Sequence, residues 1–582
     1  MPTLEWIGKS KVINHHQDVP FRVLERKYSF DENGQHEADN GSENMIIRGD
    51  NLEALKALLP RYEGRVKCIY IDPPYNTGNE GWVYNDNVND PKIKKWLGEV
   101  VGKEGEDLTR HDKWLCMMYP RLKLLQKLLA EDGAIFISID TNELYNLKSI
   151  CDEIMGANCF VSDISWQRVY CPRNDSKGIP SEVDHILVYS KAPGWTPERL
   201  ERTADMDEKY SAPDGDMNVW TSAPAHAPGA PTHQGMVYAI QHPITGELMY
   251  PPIGRCWTFG QDKMLERISE WNEYELREID DFDKRNEICR GAMTSPTPQK
   301  AIMLVSDSED SRKKSQSRYD AGSWPLLYFT SGGKGGMRCK KYLCDMPGKI
   351  ITNLWHFAEV GHTDEALKEL KKIFKGKVVF DTPKPSRLIE RILQIIGDDN
   401  AIVLDSFAGS GTTAHAVLNM NKADGGHRKF ILVEMMDYAD SITAERAKRV
   451  IHGYGEGKTC VEGTGGNFSF YDLGEPLMHG DVLNENVGVD KIREYVYFTD
   501  TKAPLSEPHP DEPYFMGVHV GSAYYFYYEK QAVTTLNREF LHTVKTKTDA
   551  YVIYADLCTL SEAELEKYHI TFKKIPRDIT KL

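Results

Sequence analysis

The sequence predicts an α/β fold whose core is a doubly wound, mostly parallel β-sheet. Two stretches, one beginning near Met45 and one near Val378, alternate strand-like and helix-like patterns. Residues 66–71 are mostly apolar, as a strand buried on both faces requires, and they stop abruptly at Asp72. Strands and helices in this alternation are typical of parallel βαβ units.

The predicted elements follow a regular order in both stretches. The first stretch has a strand at 45–47, a helix at 51–59, the strand at 66–71, a helix with apolar positions from Leu115 to Leu129, and a strand at 134–139. The second has a helix at 385–396, a strand at 401–405, a glycine-rich segment that leads into a helix, and a strand at 429–434.

A chain of 582 residues is too long for one compact core. From about Trp195 to Ile350 the alternation is lost, and glycine, proline and aromatic residues become frequent, which indicates an inserted domain. The predicted organisation is an N-terminal arm at 1–44, a first α/β half at 45–194, the insert at 195–350, a second α/β half at 351–455, and a mixed α+β C-terminal domain at 456–582.

Composition limits the possible partners. The net charge of −16 argues against a general-purpose nucleic-acid binder, so any groove for DNA must gather Lys and Arg locally. No apolar run is long enough to span a bilayer, and the first residues lack the hydrophobic segment of a signal peptide. The 11 cysteines are scattered without zinc-ligand spacing. We therefore expect a cytoplasmic protein without a metal.

A glycine-rich loop follows the predicted strand at 401–405. The run from Gly409 through Gly411 to Ala414, followed by a helix, matches a nucleotide-binding pattern. Glycines allow close approach of a ligand, and the helix start offers free N–H donors. Glu434 ends the next strand, where an acidic side chain accepts hydrogen bonds from ribose hydroxyls. These features predict a nucleoside cofactor without distinguishing NAD from S-adenosylmethionine.

The tetrapeptide Asp72, Pro73, Pro74 and Tyr75, called here the DPPY turn, follows the strand at 66–71. A proline-stiffened turn is one interpretation. Chemically, a carboxylate and a rigid carbonyl could each accept one hydrogen of an aryl amine and expose its lone pair to a sulfonium methyl. Tyr75 offers a ring on which an extruded base can stack. Because ligands bind at the carboxyl ends of parallel strands, both motifs are expected to share one crevice.

Together these motifs resemble those of the β-class amino-methyltransferases of DNA, and most closely the modification subunit of type III restriction–modification systems. That family carries Asp-Pro-Pro-Tyr, a target-recognition domain and Phe-x-Gly-x-Gly-Thr in the order found here. The resemblance covers about residues 45–191 and 353–451. It implies the S-adenosylmethionine-dependent methyltransferase fold in permuted order, and methyl transfer to the N6 amine of a flipped adenine in duplex DNA.

The resemblance also assigns roles to individual residues. It implies that Asp72 and the Pro73 carbonyl, stiffened by Pro74, hold the amine while Tyr75 stacks on adenine. Glu434 would bind the cofactor ribose, and Thr382 and Lys384 would approach its methionine end, although a surface charge at a helix start is the alternative for Lys384. The full predicted set of cofactor-binding residues is Asp50, Asn51, Thr382, Lys384, Asp405, Phe407, Gly409, Gly411, Thr412 and Glu434.

The predicted partners are double-stranded DNA, a second copy of the chain, and a restriction helicase–nuclease subunit that could dock on the C-terminal domain. Two locally basic patches of the insert are candidates for DNA contact, with solvated surface charge as the alternative. The candidates are Arg312, Lys313, Lys314, Lys334, Arg338, Lys340 and Lys341.

Three other functions stay open from the sequence. Cytosine-N4 methylation is the first, although Asp at the start of the tetrapeptide favours adenine within the family. An NAD-dependent oxidoreductase would use the glycine-rich loop and Glu434 but would leave the DPPY turn unexplained. The third is a DNA-recognition subunit that keeps the methyltransferase fold but does not catalyse methyl transfer.

Overall fold

The computed structural model describes residues 3–77, 110–171, 178–294, 300–505 and 509–577. The chain divides into two compact units. The sheet unit comprises Met1–Glu198 and Ile351–Leu582, and the insert unit comprises Arg199–Ile350. The insert unit therefore begins at Arg199, where the sequence prediction places the boundary at Trp195.

An 11-stranded sheet lies at the centre of the sheet unit, counting strands in the described ranges. From edge to edge its strands are Leu354–Trp355, Phe160–Gln167, Val183–Ser190, Leu129–Ile139, Val66–Ile71, Ile402–Asp405, Lys429–Glu434, Met45–Arg48, Phe468–Pro476, Arg22–Asp31 and Gly34–His36. The consecutive strands from Leu129–Ile139 to Phe468–Pro476 are all parallel. The predicted α/β fold with a mostly parallel sheet is confirmed.

Helices connect these strands. Those of the sheet unit are Lys9–Val12, His15–Asp18, Asn51–Tyr62, Arg110–Leu128, Leu144–Cys151, Phe357–Val360, Thr363–Ile373, Ser386–Ile396, Thr412–Asp424, Glu445–His452, Val489–Thr501, Arg538–Leu541 and Glu562–Lys567. Asn51–Tyr62, Arg110–Leu128, Ser386–Ile396 and Thr412–Asp424 agree with the predicted helices, with ends displaced by a few residues because helix boundaries depend on capping contacts. Thr363–Ile373 and Val489–Thr501 were not predicted.

The two α/β halves of the sequence join in the middle of the sheet. Val66–Ile71 pairs in parallel with Ile402–Asp405, and Cys68 lies opposite Val403. Both strands are almost completely buried, which explains their apolar composition. Because they run parallel, the residues that follow each strand leave the sheet at the same edge.

The helix Ser386–Ile396 shows how local sequence positions a residue of interest. Pro385 precedes it with φ −68°, a backbone angle already suited to a helix, and Gly397 ends it with φ 69°. Its buried face is formed by Leu388, Ile389, Ile392, Leu393 and Ile396. This amphipathic helix packs firmly on one side and thereby fixes Lys384 just before its N-terminus.

The N-terminal and C-terminal boundaries of the sheet differ from the prediction. Arg22–Asp31, from the predicted arm, pairs with Phe468–Pro476, which in turn pairs with Met45–Arg48. Strands from both predicted flanking segments therefore complete the central sheet. They escape recognition in the sequence because the partly exposed strand Arg22–Asp31 carries charged residues and lacks the continuous apolar run of the central strands.

The rest of the C-terminal region forms a smaller mixed sheet of Phe515–His519, Ser522–Phe526, Ala550–Ala555 and Ile570–Lys574. The last three strands are parallel, and the first is antiparallel to its neighbour. An α+β character of this region agrees with the sequence.

The insert unit is built mainly from short antiparallel strands around an aromatic core. Its strands are Trp220–Pro224, His226–Pro228, Ile240–Gln241, Leu248–Met249, Arg255–Trp257, Tyr274–Arg277, Ala301–Leu304, Leu327–Phe329 and Met337–Tyr342; its helices are Ala204–Asp207, Gln261–Ile268, Phe282–Ile288 and Glu309–Asp320. Across the described ranges of the whole chain, no helix combines the length and apolarity that crossing a membrane requires.

Candidate active site

The DPPY turn begins directly after the buried strand Val66–Ile71. Oδ2 of Asp72 accepts a hydrogen bond of 2.5 Å from Nζ of Lys384. Oδ1 of Asp72 and the hydroxyl of Tyr75 are buried and have no hydrogen-bond partner among the described residues. Burial and the nearby Asp72 carboxylate raise the pKa of Tyr75 well above its ordinary value. The turn therefore presents an unused carboxylate oxygen next to a neutral phenol.

The DPPY turn is held by side chains that sequence reasoning did not identify. Nε1 of Trp114 donates to the Pro74 carbonyl at 2.7 Å. Asn76, with φ 57°, donates through Nδ2 to a carboxylate oxygen of Glu143. The Glu143 side chain is fully buried, and the same oxygen lies 2.6 Å from Nδ1 of His111. These contacts join residues far apart in sequence, so no local pattern reveals them.

The glycine loop, residues 407–412, receives its shape from two buried carboxylates. Asp405 accepts hydrogen bonds from the Phe407 backbone N–H at 3.0 Å and from the Thr413 hydroxyl at 2.6 Å. Glu434 accepts the Gly409 backbone N–H at 2.8 Å. Burial raises the pKa of each of the two carboxyls to about 7. Both predicted cofactor residues thus contact the loop itself, and ligand contact by them stays a prediction.

The two glycines of the loop occupy left-handed backbone conformations. Gly409 has φ 52° and Gly411 has φ 78°. A Cβ atom on Gly411 would lie 2.8 Å from the carbonyl oxygen of Thr443. Space as well as backbone angle therefore requires glycine at this position.

A buried arginine hydrogen-bonds to the hydroxyls of the loop, and no sequence motif identified it. Arg446 donates through Nη1 to the hydroxyls of Ser410 at 3.0 Å and Thr412 at 2.8 Å. Its Nη2 lies 3.3 Å from a carboxylate oxygen of Glu369. Arg446 is on the helix Glu445–His452, beyond the pattern that identified the loop.

Asp50 and Asn51 lie close to the same loop. Asp50 caps the helix Asn51–Tyr62, accepting the Leu52 backbone N–H at 2.8 Å. Asn51 donates to the Ser406 carbonyl at 3.3 Å and accepts a hydrogen bond from buried Arg121. Asn51 therefore holds the residue before the loop, whereas Asp50 caps its own helix and contacts Arg121. Contact of either side chain with a cofactor stays a prediction.

Lys384 connects the two predicted motifs. Its backbone carbonyl accepts a hydrogen bond of 3.2 Å from the Thr412 hydroxyl, at the end of the glycine loop. Its ammonium contacts Asp72 and lies 5.0 Å from the centroid of the Tyr75 ring. The residue is only 8% exposed, so the alternative of a surface charge is wrong. Thr382, two residues earlier, is partly buried on the same segment.

A second carboxylate lies near this junction. Asp184, on Val183–Ser190, is 4% exposed and pairs with Nε of Arg168 at 3.0 Å. Burial raises the pKa of Asp184 to about 6, against the opposing effect of the Arg168 and Lys384 cations. The site therefore combines an acceptor carboxylate, an aromatic ring and a ligand-binding loop with a balanced set of buried charges.

The predicted DNA-binding residues of the insert divide into two groups. The prediction for Lys340 is wrong, because its side chain is fully buried and its Nζ lies 2.6 Å from carboxylate oxygens of both Asp214 and Asp216. Lys340 and Lys341 are neighbours on the strand Met337–Tyr342, where successive side chains point to opposite faces. Lys341 and Lys334 are exposed and remain candidates.

The other candidates have nearby protein partners. Lys313 pairs with Glu309 at 2.7 Å, Arg312 pairs with Asp307 at 2.7 Å, and Lys314 lies 3.9 Å from Glu273. Arg338 donates to Ser222. The carboxylates neutralise part of the charge that the sequence suggested for the helix Glu309–Asp320, and DNA contact by these residues stays a prediction.

Comparison with known proteins places this site in a family. A family model described as DNA methylase matches residues 66–445. The chain is 33% identical over 407 residues to the type III restriction-modification enzyme StyLTI Mod subunit of Salmonella typhimurium, covering 68% of this chain and 52% of that protein. It is 29% identical to the EcoP15I Mod subunit of Escherichia coli, covering 78% and 66%. It is also 29% identical to the type II methyltransferase M.KpnI of Klebsiella pneumoniae, covering 68% and 81%. The chain thus spans about half of the first relative's length.

We expect Gly411→Ala to weaken cofactor binding by more than tenfold, because the new methyl group would meet the Thr443 carbonyl and displace the loop. Gly425→Ala is the matched control, since Gly425 also has a left-handed φ, of 73°, but open space around its Cβ position. Both variants should lose about 1–2 kcal/mol of stability from the backbone conformation alone. Calorimetric titration with the cofactor checks this, and equal affinities in the two variants would contradict it.

We expect Lys340→Met to destabilise the insert by about 3–5 kcal/mol, because removing the ammonium leaves the buried Asp214 carboxylate and the partly exposed Asp216 carboxylate without their cation. Lys341→Met, at the exposed neighbouring position, should change stability by less than about 0.5 kcal/mol. Denaturant unfolding followed by tryptophan fluorescence measures both. Equal stability of the two variants would show that the buried ion pairs do not contribute.

Proposed function

The chain belongs to the DNA methylase family, and we propose that it transfers a methyl group from S-adenosylmethionine to the N6 amine of an adenine in duplex DNA. The observation that carries this proposal is the contact of Lys384 with both motifs. Its carbonyl lies 3.2 Å from the Thr412 hydroxyl and its ammonium 2.5 Å from Asp72. The groups for a cofactor and the groups for an amine therefore adjoin one another.

The glycine loop suits a nucleoside cofactor that carries an amino acid. Gly409 and Gly411 give the loop its left-handed backbone turns, and the helix Thr412–Asp424 begins beside them. Glu434, at the end of its strand, would accept hydrogen bonds from the ribose hydroxyls. Lys384 is the cation for the cofactor carboxylate. The cofactor supplies an electrophilic methyl group on a positively charged sulfur.

The DPPY turn would activate the target amine. Oδ1 of Asp72 is buried without a partner among the described residues, so it is available to accept one hydrogen of the amine. The Pro73 carbonyl would accept the second hydrogen and orient the nitrogen lone pair toward the methyl group. As the nitrogen–methyl bond forms, the carbon–sulfur bond would break with its electron pair staying on sulfur, and the nitrogen would then lose one proton to solvent. Asp72 stabilises the positive charge that develops on the amine.

Tyr75 would hold the base during the reaction. Its ring faces the Lys384 ammonium at 5.0 Å and is fixed by the strand end and by the Trp114 contact to Pro74. A base can reach this ring only outside the duplex stack, so the proposed chemistry requires base flipping. The energy of unstacking would be compensated by stacking on Tyr75 and by hydrogen bonds to the Watson–Crick edge.

The similarity to two Mod subunits suggests the setting of this activity. We propose that the protein acts as the modification subunit of a type III restriction–modification system, as a homodimer, with a restriction helicase–nuclease partner. Sedimentation of the purified chain with and without duplex DNA tests the dimer. A molecular mass of one chain in both conditions would contradict it.

The proposed activity is tested by methylation-aware sequencing of duplex DNA incubated with the protein and S-adenosylmethionine. We expect N6-methyladenine at one recurring sequence. N4-methylcytosine at a recurring sequence would show that the target base is cytosine and not adenine. An absence of methylation under cofactor-saturating conditions would contradict the proposal that the protein is a methyltransferase.

We expect Asp72→Ala to lower the rate of methyl transfer by at least about 10²-fold, because the amine loses the carboxylate that stabilises its developing charge. Cofactor affinity should not fall, since Asp72 belongs to the DPPY turn and not to the glycine loop, and its removal leaves the Lys384 ammonium free to pair with the cofactor carboxylate. Asp132→Ala, at an aspartate whose side chain is 76% exposed and pairs with Lys67, is the control. Parallel loss of cofactor affinity and rate in Asp72→Ala would contradict the separate roles.

A further inference from the structure

The side chain of Lys384 lies beside the place where the proposed function requires the adenine amine. The seat for the target base, called here the amine seat, is formed by the Asp72 carboxylate and the Tyr75 ring. Lys384 places its ammonium 2.5 Å from Oδ2 of Asp72 and 5.0 Å from the Tyr75 ring centroid. The target amine would bind the other oxygen of that carboxylate, Oδ1, so the ammonium neutralises the acceptor and lies over the ring on which the base would stack.

We propose that Lys384 is an internal occupant of the amine seat, and that the carboxylate of the bound cofactor draws its ammonium away so that the target base can enter. This inference rests on the proposed function. It assigns Lys384 a regulatory role in the order of binding, in addition to its contact with the cofactor.

Competition for Asp72 favours the ammonium over a neutral base. A charge-assisted hydrogen bond between an ammonium and a carboxylate is roughly twice as strong as one from an uncharged amine. The site is also poorly hydrated, because Lys384 is 8% exposed and its side chain and that of Asp72 are 9% and 14% exposed. In such surroundings the adenine amine alone is a poor competitor for this carboxylate.

Release of Lys384 requires another anion within reach. A buried ammonium left without a counter-charge is strongly unfavourable. In the described part of the chain, Asp184 is a second carboxylate that Lys384 influences, but it already pairs with Arg168 at 3.0 Å. A cofactor seated on the glycine loop brings a new carboxylate to the side where the Thr412 hydroxyl contacts the Lys384 carbonyl. The lysine side chain can therefore change partners without moving its backbone.

Charge balance supports this exchange. The cations of Lys384 and Arg168 offset the carboxylates of Asp72 and Asp184. The amino-acid part of the cofactor, which S-adenosylhomocysteine shares, would add one carboxylate and one ammonium, so the total charge of the site stays the same when Lys384 turns to the cofactor carboxylate. The exchange therefore removes the ammonium from Asp72 without adding net charge to the site.

The consequence is positive coupling between cofactor and target base. Cofactor binding should favour entry of the flipped adenine, and by thermodynamic linkage a flipped adenine should raise cofactor affinity by the same factor. A ligand that fills the glycine loop but lacks the carboxylate should produce no such effect, because it gives Lys384 no alternative partner.

The test measures base flipping as the permanganate reactivity of the thymine opposite the target adenine, in a duplex carrying the sequence that methylation-aware sequencing identifies. The wild-type protein is compared without ligand, with S-adenosylhomocysteine, which retains the carboxylate, and with 5′-methylthioadenosine, which lacks it. We expect S-adenosylhomocysteine to raise the flipped population by a factor within the usual range of coupling, about 5- to 150-fold, and methylthioadenosine to leave it unchanged.

Lys384→Met removes the ammonium from the amine seat. In this variant we expect the target base to be flipped without any ligand, and S-adenosylhomocysteine should not raise the flipped population further. Lys384→Arg keeps a cation and should keep the ligand dependence. Lys377→Met, at an exposed lysine earlier in the same segment, should behave as the wild type. Thermal melting verifies that each variant is folded, and the wild-type comparison of the two ligands stands even if Lys384→Met does not fold.

Equal flipping with the two ligands in the wild type, or an unchanged need for S-adenosylhomocysteine in folded Lys384→Met, would overturn the inference. Either result in a protein that still methylates its sequence would reject only the exchange of Lys384. Failure of the wild type to methylate DNA at all would instead reject the proposed function.

Discussion

The parallel pairing of Val66–Ile71 with Ile402–Asp405 is the constraint on which the rest of the site depends. It brings together two segments that are separated in sequence by the whole insert, and it makes both strands end at one edge of the sheet. The DPPY turn and the glycine loop leave that edge side by side. Lys384 then reaches Asp72 with one side chain, while its carbonyl accepts the Thr412 hydroxyl. The register between these two strands therefore places the proposed binding groups for both reactants next to each other.

The site concentrates buried charge, which is costly unless each group has a partner. Asp405 and Glu434 hold the backbone of the glycine loop, and Arg446 binds the hydroxyls beneath it. Glu143 fixes the residue after the DPPY turn from a fully buried position. Each of these side chains has protein partners. Oδ1 of Asp72 and the Tyr75 hydroxyl, which are proposed to meet the base, are among the buried atoms that have no hydrogen-bond partner in the described part of the chain.

Much of the fold was predictable because continuous apolar strands are a local property. Val66–Ile71 and Lys429–Glu434 agree with their predicted limits, and the DPPY turn and glycine loop are recognisable as short motifs. The side chains that hold those motifs in place could not be predicted, because Trp114, Glu143 and Arg446 act through tertiary contacts and have no sequence pattern of their own. Lys340 shows a further limit. Charge in a sequence run suggests a surface patch, whereas the strand turns adjacent lysines to opposite faces and buries one of them.

We propose that the methyl donor and the acceptor amine share one cavity, between the glycine loop and the DPPY turn. A crystal structure of the protein with bound S-adenosylhomocysteine tests this arrangement. We expect the adenosine to lie against the loop, with the sulfur directed toward Oδ1 of Asp72 and the carboxylate paired with Lys384. A ligand bound elsewhere, or a sulfur separated from Asp72 by protein, would show that the two reactants do not share a cavity.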